Sequence, residues 1–320
     1  MYLCDQWRDY EVLDTGDGEK LERWGEVILR RPDPQVIWPK AEPKLWERAQ
    51  AVYERSETGG GHWTFHEKLP ERWTISLNNL KFYVKPTGFK HTGLFPEQAA
   101  NWAFMQEQIR RAGTPGRPVR VLNLFAYTGG ATLACAAAGA HVTHVDAAKG
   151  MVLWAKENRD LTGLPEESTR FIVEDAKAFV RRELRRGSRY DAVLMDPPSY
   201  GRGPNGEVWK LENELYDLVD LCSQVLSDTP VFFLINGYTT GFSAGVLLNI
   251  AQRCLCGRYG GKVEADELAL GVSTGLRHHG AVVAQCLKSS MRTITCLFRS
   301  SRRICSRRAT RQGTTACLTS

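Results

Sequence analysis

Between Val119 and Tyr200 short apolar runs recur, each closed by a polar turn: Val119–Phe125, His141–Asp146, Phe171–Glu174 and Tyr190–Met195. Runs of this length, rich in Val, Leu and Ile, predict strands buried on both faces. The alanine-rich segment Ala131–Ala138 has the composition of a helix, another helix is predicted from near Lys149, and Cys222 falls in a third. This alternation predicts an α/β sheet whose ligands bind at the carboxyl ends of its strands. Upstream the texture changes. Glu26–Arg30 and Trp73–Leu77 alternate between apolar and polar, with turn signals at Asp14–Gly18 and Arg31–Pro34. Hairpins in a small β-rich domain over residues 1–85 are predicted. Six of the nine tryptophans lie there, most of them as expected core staples, with stacking on unpaired bases as the other role.

The ends of the four strands carry the candidate chemistry. The first breaks at Ala126-Tyr-Thr-Gly-Gly130, where Gly129 and Gly130 would let backbone approach a ligand and the following helix terminus would favour anionic groups. A tight turn explains that motif equally well. Asp146 ends the second strand 17 residues after Gly129, a spacing suited to holding both hydroxyls of a ribose, although Asp also caps helices. The G-x-G-x-x-G cradle for a pyrophosphate is absent, which points to a nucleoside without one. After the third strand Asp175 is placed either to face an adenine edge or to cap a helix. The sharpest signal is Asp196-Pro-Pro-Ser-Tyr200. Two prolines stiffen the loop, Asp196 makes it acceptor-rich, and Tyr200 offers a face to a planar base.

Together these motifs resemble the class I S-adenosylmethionine-dependent methyltransferases, and among them the bacterial large-subunit rRNA cytosine-C5 and guanine-N7 enzymes, over about residues 86–276. The resemblance implies a Rossmann-like sheet, S-adenosylmethionine as cofactor, and methyl transfer to a base of ribosomal RNA. It implies that Asn123, Phe125, Ala126, Tyr127, Thr128 and Gly129 hold the methionine part of the cofactor. Asp146 with Ala147 would hold the ribose, and Asp175 with Ala176 would face adenine. Asp196, Pro197, Pro198 and Tyr200 would lie beside the transferable methyl as the catalytic group. Lys90–Gln98 resembles the K-T-G-x-F-x-x-x-Q segment that closes the cofactor pocket, which adds Gln98 to the site.

Such chemistry asks the protein to align a nucleophile with the methyl and to exclude water; no metal is expected. For a nitrogen acceptor, Asp196 and the Pro197 carbonyl would orient the lone pair. For cytosine C5 a thiolate is required, and neither the Asp196–Tyr200 loop nor Val231–Tyr238 contains a cysteine. Cys135 and Cys222 read as core residues, and Cys254 and Cys256 lack a second pair at zinc spacing. The expectation is therefore nitrogen methylation, or else a C5 thiol lost with the altered C-terminus. A small-molecule or protein acceptor, and a nucleoside-binding relic inactivated by an altered C-terminus, stay open as alternatives. The basic run Phe179–Arg186 reads as a solvated helix face. The glycine-bearing loop Gly201–Lys210 is expected to close over RNA, with Arg202 and Lys210 as its contacts.

Charge redraws the C-terminus. The formal net charge is +6, yet acids stop at Glu267, and residues 268–320 hold nine of the 42 Lys and Arg. The first 267 residues are therefore slightly acidic. Four scattered cysteines and the loss of alternation make residues 277–320 read as a disordered or out-of-frame extension, or as a basic RNA-seeking tail. On that reading Lys262–Glu267 lacks its strand partner, with Ile294–Phe298 as a substitute, and the closing strand pair is disrupted. No apolar run reaches membrane-spanning length, and Asp5, Arg8, Asp9 and Glu11 interrupt any apolar leader, so a cytoplasmic protein is expected.

Overall fold

The computed structural model describes residues 1–56, 60–114, 116–202, 208–239 and 241–287; of Arg202 it describes the backbone only. The first strand, β1 (Tyr2–Cys4), is followed by β2 (Tyr10–Gly16), β3 (Glu19–Trp24), β4 (Val27–Pro32), β5 (Ala51–Arg55) and β6 (Gly61–Phe65), then by the hairpin β7 (Trp73–Leu77) and β8 (Leu80–Val84). Strands β2 to β6 form one sheet in sequence order. The β2–β3 turn is Asp17-Gly18, both with positive φ (52° and 76°), the Asp-Gly geometry that matches strand twist. Asp14 and Thr15, read from sequence as turn residues, instead lie buried within β2. The Asp14 carboxylate accepts from Trp46 Nε1 (2.8 Å) and from the Glu42 amide (3.1 Å).

The remaining elements alternate as the apolar runs demand: α1 (Ala99–Ala112), β9 (Arg120–Leu124), α2 (Gly130–Ala137), β10 (His141–Asp146), α3 (Lys149–Thr162), β11 (Thr169–Val173), α4 (Ala176–Arg185) and β12 (Ala192–Met195). A short hairpin β13 (Tyr200–Arg202) and β14 (Val208–Lys210) precedes α5 (Leu211–Ser223), β15 (Phe232–Gly237), α6 (Ala244–Ala251), β16 (Lys262–Gly271) and β17 (Arg277–Leu287). Eight strands make the main sheet in the order β1-β16-β17-β15-β12-β9-β10-β11, parallel from β15 to β11. The chain winds outward from β9 to β11 and then crosses to β12. A crevice therefore opens between the ends of β9 and β12, where the strand order reverses.

The central strands feed two cores. Val121, Leu194 and Leu234 face a core built with α1, α2 and the N-terminal strands, whereas Leu122, Met195 and Ile235 face α4, α5 and α6. Alternate residues point to opposite faces, and both faces are covered, so β12 and β15 are buried throughout. The N-terminal strands share the first core: Trp24 and Phe82 join Trp102 and Leu133 there, and β1 pairs with β16 of the main sheet. Tryptophans here are staples. Trp7 donates to Pro96 O (2.9 Å), Trp63 to Thr87 O (2.8 Å) and Trp73 to Trp24 O (2.8 Å).

The expected disruption of the C-terminal strand pair is corrected. β17 runs antiparallel between β15 and β16, pairing Phe232–Gly237 on one side and Lys262–Gly271 on the other. Ala281 and Val283 enter one core, and Val282, Ala284 and Cys286 enter the other. A strand covered on both faces needs no acidic residue, which is why the loss of acids after Glu267 misplaced the break. The substitute strand Ile294–Phe298 lies outside the described residues, as does the rest of the tail beyond Leu287.

Candidate active site

The end of β9 enters a strained turn. Phe125 and Tyr127 have φ of 54° and 50°, and Gly129 follows at 88°. Positive φ is uncommon for aromatic side chains and costs on the order of 1–3 kcal/mol, so the surroundings must impose it. They do so through hydrogen bonds. The Ala126 amide donates to Val145 O (3.1 Å), and the Tyr127 amide donates to Asp146 Oδ2 (2.8 Å). Asn158 Nδ2 donates to Thr128 O (2.9 Å), and the Thr128 hydroxyl donates to Gly93 O. This last contact fastens the turn to the Lys90–Gln98 segment. The strain was invisible in sequence, because a glycine pair suggested that glycine alone would bear the unusual angles.

A cavity open to solvent lies beneath the turn. Phe125, Ala126, Tyr127, Thr128, Asn123, Gln98 and Asp196 line it, so seven of the sequence-selected residues converge. Asn123 is also committed to the core, since its Nδ2 donates to Thr132 Oγ1 (2.8 Å). Gly129, Pro197 and Pro198 flank the lining without joining it. Asp146 and Asp175 stand along the neighbouring strand ends, β10 and β11. Each Asp146 oxygen accepts one backbone amide, from Tyr127 and from Ala148 (both 2.8 Å), leaving further lone pairs. Burial pushes its carboxyl above the usual carboxylate range, and those amides oppose the shift. Asp175 caps α4 by accepting from the Ala178 amide (2.8 Å), and Ala147 and Ala176 follow the two acids.

Asp196 occupies the far wall. Asn236 Nδ2, from the end of β15, donates to its Oδ1 (3.1 Å). Burial pushes the Asp196 carboxyl up to about 7, with Asn236 opposing and the Glu97 charge assisting. Behind it stands a chain of side-chain amides. Asn101 donates to Gln98 Oε1 (2.7 Å), Gln98 donates to the Tyr238 hydroxyl (3.0 Å), and Gln285 of β17 donates to Asn101 Oδ1 (3.3 Å). Phe95 packs on Tyr127 (5.6 Å between centroids) and on Tyr238 (5.0 Å), closing the cavity with aromatic faces. Sequence reading missed Asn101, Asn236 and Tyr238, and reached Phe95 only as part of the closing segment. The signal was faint: an Asn-Gly-Tyr after an apolar strand, which only sheet order brings beside Asp196.

The Asp196–Tyr200 loop is stiffer than two prolines require. Trp209 Nε1 donates to Pro198 O (2.6 Å) and the Leu211 amide to Ser199 O (3.1 Å), so two of the loop's carbonyls are already engaged within the protein. Tyr200 is 52% exposed and sits opposite Lys210 in the hairpin. The Arg202 side chain and residues 203–207 of the loop lie outside the described residues. In the basic run, Arg181, Arg185 and Arg186 are exposed, while Arg182 pairs with Glu174 and Arg186 with the buried Glu183. None of the six cysteines among the described residues lines the cavity.

Amides, one acid and aromatic faces suit a zwitterionic, cationic arm, while acids at the neighbouring strand ends, Asp146 and Asp175, suit a nucleoside. The residues thus fit S-adenosylmethionine. Comparison with known proteins agrees. A family model for S-adenosylmethionine-dependent methyltransferases matches residues 49–220, more than half of the chain. The chain is 26% identical over 239 residues to "Ribosomal RNA large subunit methyltransferase K" of Neisseria meningitidis, covering 69% of this chain and 63% of that protein. It is 31% identical over 238 residues to "Ribosomal RNA large subunit methyltransferase K/L" of Shewanella baltica, covering 70% of this chain. It spans 31% of that longer protein. Among solved structures, a SAM-dependent methyltransferase from Agrobacterium tumefaciens superposes with a TM-score of 0.83 at 36% identity, covering 89% of this chain and 92% of that one. A putative methyltransferase complexed with SAH shares the fold at a TM-score of 0.68 and 17% identity, covering 88% of this chain and 76% of that one. The chain belongs to the S-adenosylmethionine-dependent methyltransferases, and S-adenosylmethionine is the cofactor of that family.

Proposed function

We propose that this chain methylates a nitrogen of a base in large-subunit ribosomal RNA, in the cytoplasm. The observation that carries the reading is one cavity joining the Phe125–Thr128 turn to Asp196 across the switch point of the sheet. The rRNA methyltransferases among its relatives support the choice of substrate. Phe125 to Gly129, with Gln98 and Asn123, would hold the methionine part of the cofactor, Asp146 and Ala147 its ribose, and Asp175 and Ala176 its adenine. S-adenosylmethionine supplies the electrophilic methyl. Asp196 and the Pro197 carbonyl accept hydrogen bonds from the base nitrogen, which points its lone pair into the cavity. Asp196, held near neutrality, takes the proton that leaves a methylated amine. Pro197 and Pro198 keep that carboxyl fixed, Tyr200 stacks on the base, and Arg202 and Lys210 contact phosphate. A nitrogen acceptor needs no thiolate, in keeping with a cavity that none of the described cysteines lines.

The test is transfer of labelled methyl from S-adenosylmethionine to rRNA prepared from cells lacking the gene, followed by mass mapping of the product. An N-methylated base is expected. A 5-methylcytosine product would overturn the nitrogen assignment, and label on protein or on a small molecule alone would overturn the RNA reading.

A further inference from the structure

Beside the cavity mouth a loop holds an aromatic ring out of the core. Thr87 Oγ1 donates to His91 O (2.8 Å), closing the loop, and Trp63 Nε1 donates to both Thr87 O (2.8 Å) and Phe89 O (3.2 Å). Arg31 Nη1 fastens the next residue by donating to Lys90 O (2.9 Å). The backbone is thus pinned from two sides, yet the Phe89 side chain is 70% exposed. A single exposed apolar residue needs no explanation, but this one has company. Phe65, 54% exposed, shares a face of β6 with Trp63. Cations crowd the same place.

Lys90 follows Phe89 and lies within electrostatic reach of Lys20, Arg31 and Arg55. Burial, and then those cations, push its ammonium down to about 8 against the pull of Asp33. Asp33 is itself engaged, 3.2 Å from His278 and 3.9 Å from Lys20, and Glu22 is engaged by Arg31 at 2.6 Å. Among the described residues no carboxylate lies within ion-pair distance of Lys90 or Arg55, so an arriving anion would find both cations available. From the loop an unbroken line of rings leads into the cavity: His91 against Phe95 (5.2 Å), and Phe95 against Tyr127 (5.6 Å). A chain of nucleotides has the matching chemistry, one phosphate and one base face for every unit.

We propose that Phe89, Lys90 and Arg55 form a docking surface for the single-stranded RNA flanking the target base, with Phe89 stacking on a neighbouring base and the two cations holding phosphates. This inference rests on the RNA reading above and places recognition on the N-terminal side of the cavity, in addition to the hairpin that follows Pro198. The full chain would be tested with protein-free large-subunit rRNA and with intact ribosomal particles. Phe89→Ser and Arg55→Ala should each raise the KM for RNA about tenfold with kcat and calorimetric cofactor affinity unchanged. Lys90→Gln should lower the slope of log affinity against log salt by about one. Unchanged RNA affinity and salt slope in all three variants of an enzyme that methylates RNA would overturn the inference while sparing the RNA reading. A defect on particles but not on naked rRNA would assign the surface to a ribosomal protein and also overturn it. A wild-type chain that neither binds nor methylates RNA would sink both.

Discussion

In the proposed reaction, Asp196 concentrates the chemistry into one titratable group. Its carboxyl is pushed up to about 7 by burial, so the folded chain keeps a proton that the unfolded chain releases near pH ~4. Between those values the unfolded state binds fewer protons, and stability falls as pH rises until it levels off above about 7. Catalysis has the opposite dependence: a proton acceptor must be ionised, so kcat should climb with pH through about 7 and then plateau. Asp196→Asn should lower kcat by about 100-fold or more and flatten the limb. The same variant should melt higher than wild type above pH 7, by on the order of 1–2 kcal/mol, because solvent reaching the carboxyl through the cavity offsets part of the burial cost. Methyl-transfer rates and thermal melts at pH 5 to 9 check both. A variant less stable than wild type at pH 8 would contradict the account.

At the scale of elements, the turn from β9 into α2 carries the site, and its neighbours were legible to different degrees. Strand ends at Phe125, Asp146 and Asp196 could be read from apolar runs, since burial on both faces leaves a run that stops sharply at the first polar residue. Helix caps could not be separated from ligand acids. Asp175 does cap α4, and capping leaves its second oxygen for another partner. Gly130 illustrates a tertiary demand. A Cβ there would lie 2.5 Å from Trp102 Cζ2, and Trp102 is a wall of the cavity. Gly130→Ala should cost about 1–3 kcal/mol by overpacking and, by displacing that ring, weaken cofactor binding about tenfold. Melting curves and calorimetry with S-adenosylmethionine would measure the two effects. Wild-type values for both would mean that Trp102 yields without consequence.

For the whole molecule, β17 is the keystone that acidity patterns concealed. It joins β15 to β16, β16 in turn carries β1, and its Gln285 reaches the amides behind Asp196. A chain ending at Leu287 should melt cooperatively and bind S-adenosylmethionine. A chain ending at Leu276 loses the strand and leaves two ladders unpaired, so it should show no cooperative transition. Cooperative melting of the shorter chain, followed by circular dichroism, would show that the sheet closes without β17.

The sequence by itself determined the parallel strands, their order of use and the chemical character of their ends, because hydrophobic periodicity and turn residues act locally. It also determined the family, since the Phe125–Gly130 turn and the Asp196–Tyr200 loop carry family-specific residues over a short span. Only the tertiary structure decided that Asn236 stands with Asp196, that Phe125 and Tyr127 bear positive φ, and that Arg277–Leu287 closes the sheet. Those outcomes depend on which strands become neighbours. Pairing between residues far apart in sequence is fixed by the burial of both sheet faces at once, a condition that no local pattern contains.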